Sequence, residues 1–263
     1  VTPTALEGYP GQFAVPALVT ILNTDDVNLN VTPANHIGSI LIETGTSRSS
    51  INFTGTNALI VDGGITIDIS TDNTSGKTIA VGAGSLTCAS ITMNNVGAGN
   101  DPSTLSISTG TVTVSGNISM LGSNTENFVT FSSTGTLFIG GTMSGGALTP
   151  STGTVNYNNA GSQTVGTYAY NNLTLSGANV TNTKTTTGVT VNGRLSMEGT
   201  AVVSAAPTYG AASSLQYNTA TSRNADIRFA RFTRAIDHTT QQCHFDRLFN
   251  SFDGFFQLIG NTK

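Results

Sequence analysis

The feature that most constrains the fold is a short alternation of branched apolar and small polar residues, which recurs along the chain as far as position 222. It is clear from Ile65 to Ile69 (ITIDI), from Val112 to Val114 (VTV) and from Leu173 to Leu175 (LTL). Such an alternation places apolar side chains on one face of a strand and hydroxyl groups on the other. The runs end at Gly, Asn or Ser, which favour turns. Because no helical period precedes residue 223, we predict an all-β body.

A repeated strand–turn–strand pattern indicates which β architecture the body has. The segment from Val112 to Gly122 resembles the segment from Val189 to Gly199, and a weaker copy runs from Leu137 to Met143. Units repeated about every 16–25 residues predict a parallel β-solenoid (β-helix) of roughly nine or ten coils, in which equivalent apolar positions stack. An antiparallel sandwich is the rival, although irregular strand spacing and scarce Pro disfavour it.

The composition excludes several classes of function. Only 9% of the residues are charged and the net charge is −4, so the chain lacks the positive field that attracts nucleic acids or anionic membranes. Its apolar runs are shorter than the ~18–20 residues that cross a bilayer. Two Cys in 263 residues are too few for a disulfide framework. We therefore expect neither a nucleic-acid partner nor a membrane span.

The segment 223–263 differs in chemistry from the body. Six of the ten basic residues and seven of the twelve Phe lie in it. Five apolar residues in this tail follow the spacing i, i+4, i+7, i+11, i+14 and predict the stripe of an amphipathic helix. Three interpretations stay open: a cap on the solenoid, a helix that binds a neighbouring subunit, and the product of a shifted reading frame. The stripe consists of Phe245, Phe249, Phe252, Phe256 and Ile259.

These differences divide the chain into three parts. Residues 1–35 hold four of the seven Pro and predict an irregular lid, or cap, on the first coil. Residues 36–222 are the predicted solenoid body, and residues 223–263 are the predicted helical tail. Because the body is poor in charge, little opposes its association into filaments or layers.

Candidate catalytic and metal-binding residues are few. In the tail, Asp237, His238, Cys243 and His244 lie close together without a spacing typical of a metal site. The body offers carboxylates but few basic partners for the acid–base chemistry of polysaccharide-cleaving enzymes. We therefore predict no catalytic, cofactor or metal site, and a carbohydrate-active β-helix enzyme is an alternative. The carboxylates are Asp25, Asp26, Asp62, Asp68, Asp72 and Asp101.

Cysteine and threonine raise two further questions. Cys88 shares the core face of its strand with Leu86, so we predict that Cys88 and Cys243 are buried free thiols, with a body–tail bridge as the alternative. Thr111 and Thr113 resemble the flat ranks of threonines on ice-binding solenoids, as does the run at 183–187. Because Ser, Asn and Asp interrupt these ranks, ice binding is an alternative function.

The stretch from Gly153 to Gly177 resembles a repeat module of a known family. It contains GTVNYNNAG at 153–161, SQTV at 162–165 and YNNLTLSG at 170–177, and the similarity extends over roughly residues 100–220. Such modules occur in large secreted surface proteins of bacteria, many of them Bacteroidetes. The resemblance implies an extracellular or cell-surface β-helical protein of adhesin-like or structural type, without known catalytic residues. We expect a non-catalytic structural or adhesive protein whose partners are further copies, other surface proteins or a glycan.

Overall fold

Parallel strand pairing defines the computed structural model of the chain, which describes residues 17–69, 76–96, 102–122 and 125–219. Its 24 strands pair in parallel and stack into a β-solenoid of about eight turns. No helix occurs within these described residues. The predicted all-β parallel solenoid is confirmed, and the antiparallel sandwich is excluded. Residues 17–219, apart from the gaps given above, form about eight turns, against the nine or ten expected for the whole body.

Three faces surround the core in the first part of the solenoid. Face A contains the first halves of β5 (Ala58–Ile67) and β7 (Ser85–Met93), followed by β9 (Thr111–Val114), β12 (Thr136–Ile139), β15 (Thr154–Tyr157), β18 (Asn172–Leu175), β21 (Arg194–Glu198) and β24 (Ser214–Asn218). Face B contains β1 (Leu18–Ile21), β3 (Ser39–Ile42), the second halves of β5 and β7, β10 (Ile118–Met120) and β13 (Met143–Gly145). Face C contains β2 (Asp26–Leu29), β4 (Ser49–Phe53), β6 (Lys77–Val81), β8 (Ser103–Ile107), β11 (Asn127–Phe131) and β14 (Ala147–Thr149).

Two narrower faces take the place of faces B and C in the second part, while face A continues to the last strand. Face D contains β16 (Gln163–Thr164), β19 (Thr183–Thr185) and β22 (Val202–Val203). Face E contains β17 (Ala169–Tyr170), β20 (Thr190–Val191) and β23 (Thr208–Tyr209).

The core consists of apolar ladders that run along the solenoid axis. Each strand directs every second side chain inward, and equivalent side chains stack because adjacent parallel strands lie only ~4.8 Å apart. On face C, Ile79, Leu105 and Val129 are register partners on successive coils, and none is more than 1% exposed. Burying a side chain of this size contributes about 1.5–3 kcal/mol, so every coil depends on its neighbours for much of its stability.

The coil length changes midway along the solenoid. The first described pairing, of β1 with β3, joins residues 21 apart in the sequence. In pairings among β2 to β13, the residue numbers of register partners differ by 24 to 28, as in Val112 with Leu137. In pairings that involve β14 or a later strand they differ by 18 to 22, as in Leu137 with Val155. The sequence similarity of Val112 to Leu137 therefore spans one coil. The segments that begin at Val112 and Val189 are similar in sequence but lie on different faces, since Val112 is on face A and Val191 on face E.

The predicted lid lies partly within the described residues, and the predicted tail lies wholly outside them. β1 and β2 fall inside residues 1–35 and pair in register with β3 and β4, so the described stacking begins at Leu18. Residues 1–16 lie outside the described residues, as does the predicted tail helix with its stripe of Phe245, Phe249, Phe252, Phe256 and Ile259.

We expect Leu105→Ala to destabilise the protein by about 2–5 kcal/mol, because the lost side chain is fully buried between Ile79 and Val129. The matched control is Ser106→Ala, the next residue of β8, whose side chain points outward. Urea unfolding followed by circular dichroism measures both variants. Equal unfolding midpoints for the two variants would contradict the role of the ladder.

Candidate functional site

Ladder pairing is interrupted where the long coils meet the short ones. Among the described strands, β13 pairs with β10 alone and β14 with β11 alone, so faces B and C end there. The strands that begin faces D and E, β16 and β17, pair with β19 and β20 of the following coil alone. The edges of these four strands therefore meet at this junction without a ladder across it.

A polar groove lies on the outside of this junction, and we call it the junction groove. It consists of two adjoining cavities of about 360 and 480 Å³ that share Thr142 and Thr164. Six of its lining residues are glycines, and none of its lining residues is charged. The hydroxyl and amide side chains that line it belong to Thr142, Ser144, Asn159, Ser162, Thr164 and Thr185, besides Gln163 at its floor and Thr167 at its far end.

Glycine shapes one lip of the junction groove. Gly145 and Gly146 have φ angles of +73° and +47°, a left-handed backbone that other residues rarely adopt. A Cβ on Gly145 would lie 1.8 Å from the carbonyl oxygen of Met120, so a side chain there would clash with the preceding coil. The chain therefore leaves the extended conformation at the end of β13, which opens the space between this coil and the next.

Two buried polar side chains support the floor of the groove. The side-chain amide of Gln163 donates hydrogen bonds to the carbonyl oxygens of Ile139 (2.7 Å) and Gly141 (2.6 Å) of the preceding coil. The Lys184 ammonium group, one coil further on, donates to Gln163 Oε1 at 3.0 Å and to the carbonyl oxygens of Asn159 and Gly161 at 2.8 and 3.1 Å. Lys184 is fully buried, and these three neutral oxygens accept one hydrogen bond from each of the three N–H groups of its ammonium. Burial lowers the pKa of Lys184 to about 8.

A cluster of tyrosines fills the core behind the wider cavity. The Tyr157 and Tyr170 hydroxyl groups lie 2.9 Å apart, and Tyr170 donates to the carbonyl oxygen of Gly166 at 2.8 Å. The amide of Gly166 donates to the Tyr157 oxygen at 2.9 Å, so these buried hydroxyls are all satisfied. Tyr168 packs edge-on against Tyr170 and donates to the carbonyl oxygen of Gly145, which joins the two sides of the groove. Burial raises the pKa of Tyr157 to about 12.

A second buried lysine, Lys77, lies on face C. Ser49, Lys77, Ser103 and Asn127 are register partners, and all four are fully buried. Lys77 donates to the carbonyl oxygen of Glu43, and Asn127 to that of Asn95 at 2.8 Å. Burial lowers the pKa of Lys77, although Asp68 and Glu43 partly oppose this shift. In this polar column, Lys77 and Asn127 donate hydrogen bonds to backbone carbonyl oxygens at the corner between faces B and C.

The four predicted carboxylates that lie within the described residues, Asp25, Asp26, Asp62 and Asp68, do not form one cluster. Three of them contact side chains of the neighbouring coil, and the hydrogen bond from Thr44 lowers the pKa of Asp68. Within the described residues, no three of His, Cys, Asp and Glu come together as a metal site requires. The three contacts are those of Asp62 with His36 Nδ1 (2.7 Å), Asp68 with the Thr44 hydroxyl (2.7 Å) and Asp26 with Arg48 Nη2 (3.4 Å). Asp72, Asp101, Asp237, His238, Cys243 and His244 lie outside the described residues.

Cys88 lies on the core face of its strand beside Leu86, as the alternation predicts, and carries a free thiol. Burial raises the pKa of this thiol to about 12. Cys243 lies outside the described residues, so its state stays a prediction.

The outward threonines form ranks of limited length. On face A, Ser85, Thr111, Thr136 and Thr154 are register partners. Beside them a parallel rank contains Ile60, Thr87 and Thr113. That second rank continues with Phe138 and Asn156. The run at 183–187 contributes outward threonines on both sides of Lys184, whose side chain points inward.

Comparison with protein-family models, with curated protein sequences and with solved structures finds no match to the chain. Among the described residues there is no helix long and apolar enough to cross a membrane.

Neither the groove nor Lys184 was among the residues predicted from the sequence to form a site. A signal for the groove was present in the spacing of Val112, Leu137 and Val155, because equivalent apolar residues lie closer together in the sequence after Leu137 than before it. No comparable signal marked Lys184. The alternation places it on the inward face of its strand, but lysine is rarely fully buried, so the pattern alone does not predict its burial.

We expect the parent protein to gain stability relative to a Lys184→Met variant as the pH rises from about 8 to 10. In this range an unfolded lysine, with a pKa of 10.5, keeps its proton while the buried Lys184 loses it. The unfolded state then binds more protons, so a higher pH favours the folded state, by at most about 1.4 kcal/mol per pH unit.

Thermal unfolding midpoints of both proteins between pH 7 and pH 10 provide the measurement. Lys77 and the thiols are common to both proteins, so their titration cancels in the difference. A difference that stays constant across this range would contradict the burial of the Lys184 ammonium group.

Proposed function

We propose that the chain is a non-catalytic structural or adhesive element of an extracellular or cell surface, and that it contacts its partners through uncharged outer faces. The observation that carries the proposal is the lack of charge along the middle of the solenoid. Between residues 76 and 193, the described residues include three charged side chains, and two of them, Lys77 and Lys184, are buried. Glu126 is the third. A wall of hydroxyl and amide groups contacts neutral surfaces without electrostatic repulsion.

The bonding of the described carboxylates supports a non-catalytic role. Asp62 and Asp68 are each held by a side chain of the neighbouring coil, at His36 and Thr44 respectively. Contacts of this kind fasten the corners of the coils to one another. General acid–base cleavage of a glycosidic bond requires instead two carboxyl groups that face one substrate.

Association of copies into filaments or layers belongs to the same proposal. Outer faces without charge contact one another without electrostatic repulsion, so we expect lateral contacts between copies along these faces.

Ice binding, the alternative raised by the threonines, has less support. A flat ice-binding face needs two parallel ranks of threonine over several coils. The rank that contains Thr111, Thr136 and Thr154 is regular, but its companion passes from Thr113 to Phe138. The bulky ring breaks the flat array, so we propose the adhesive role ahead of this one.

An antibody raised against the purified chain is expected to label intact, unpermeabilised cells of the source organism. Cells from which the gene has been deleted are the control. Labelling that appears only after the cells are permeabilised would contradict the extracellular part of the proposal, whatever the ligand of the protein.

A further inference from the structure

We propose that the junction groove binds a neutral oligosaccharide, an inference that rests on the proposed adhesive function and names its class of ligand. The groove adjoins strands that end faces B and C and strands that begin faces D and E, where the outer wall is open instead of closed by a ladder. Its two cavities, of about 360 and 480 Å³, fall in the range of small-ligand sites, roughly 300–1,000 Å³.

The chemistry of the lining fits neutral sugar hydroxyl groups. Hydroxyl side chains donate and accept hydrogen bonds, and so does each hydroxyl of a sugar ring. Thr142 and Ser144 line one side, and Ser162 and Thr164 line the other. No lining residue carries a charge that would pair with the carboxylate of a uronic acid or with a phosphate. The lining therefore favours a neutral sugar over an acidic one.

The wider cavity adds an apolar surface beside these polar groups. Tyr168 lines it with a half-buried side chain, next to the buried side chains of Met143 and Val165. An aromatic ring at the boundary between core and water offers an apolar body together with a polar end. A sugar ring has the same two-sided character, with C–H groups on its faces and hydroxyl groups around its edge.

The groove is held in shape before any ligand binds. Gln163 bonds to the preceding coil and Lys184 bonds to Gln163, so the floor is tied to both neighbours. The side-chain amide of Asn159 donates to the carbonyl oxygen of Gly140 at 2.9 Å, and the Tyr168 hydroxyl donates to the carbonyl oxygen of Gly145 across the groove. Ordering these groups costs nothing further on binding, which favours a ligand that makes only hydrogen bonds and modest apolar contacts.

Addition of a peptide strand fits the groove less well than a sugar does. Among the strands that line the groove, an added strand would have to pair with β13 or β16, which have only three and two residues. The left-handed conformations of Gly145 and Gly146 bend the end of β13 away from the extended geometry, and the carbonyl oxygen of Gly145 already accepts a hydrogen bond from Tyr168. A short, bent edge of this kind resists pairing with another chain.

Native gel electrophoresis of the full chain in gels that contain a polysaccharide tests the proposal. The neutral polysaccharides are hydroxyethyl cellulose, glucomannan, galactomannan and laminarin, and the acidic comparison is polygalacturonate. We expect at least one neutral polysaccharide to retard the parent protein, and Thr164→Trp, which fills the groove where its two cavities meet, to weaken that retardation at least tenfold. The control is Thr87→Trp, which replaces an exposed outward threonine on face A.

Ser144→Trp, on the opposite side of the groove, is the second blocking variant, and circular dichroism establishes that each variant is folded. Retardation by none of the neutral polysaccharides would overturn the proposal, as would retardation by polygalacturonate alone. Equal loss in Thr164→Trp, Ser144→Trp and Thr87→Trp would place binding elsewhere and overturn it too. Binding of a fluorescent peptide with the sequence of β10, without binding of any polysaccharide, would identify strand addition instead. None of these outcomes changes the expected surface labelling by the antibody, so the proposed function is tested independently of the groove.

Discussion

Stacking of inward-pointing apolar side chains, one coil directly upon the next, is the interaction on which the rest of the structure depends. Leu105 lies between Ile79 and Val129 in this way, and the same holds for the ladders on the other faces. Since coils lie ~4.8 Å apart, outward side chains must also stack, and like charges at that distance would repel. The small, uncharged outer residues are therefore a consequence of the stacking, and they leave the surface neutral.

A change of coil length conflicts with this stacking, and the junction is where the protein accommodates the conflict. Faces B and C end near the step where the coil contracts, and the narrower faces D and E begin after it. Tyr157 and Tyr170 fill the core at this step, and their hydroxyl groups satisfy one another and Gly166. Lys184 and Gln163 bond to carbonyl oxygens of residues that lie outside the strands, those of Asn159, Gly161 and Gly141. The space left outside these supports is the junction groove.

The sequence predicts the fold more completely than it predicts the site, for a physical reason. Alternation is a local property of each strand, so runs such as ITIDI at 65–69 identify strand and inward face directly, and the free thiol of Cys88 follows from it. The register between coils depends on two strands at once, so a local pattern does not specify it. The similarity of the segments that begin at Val112 and Val189 does not identify equivalent strands, because the two segments lie on different faces. The groove is harder still to predict from the sequence, because it forms where the strand pairing between successive coils ends. Burial of Lys184 depends on three oxygen acceptors beyond its own strand, which no local pattern specifies.

The contraction of the coil after β12 is the central claim, and disulfide trapping tests it most directly. In a background with Cys88→Ala and Cys243→Ser, register partners at Thr136 and Thr154 are changed to cysteine. Cα atoms about 4.8 Å apart on adjacent parallel strands are within the range of a disulfide. The account predicts that this pair oxidises readily, whereas Thr136→Cys with Gly161→Cys, which would be partners if the long coil continued, does not. Bond formation by the second pair and not by the first would show that the long coil continues, and would contradict both the junction and the groove.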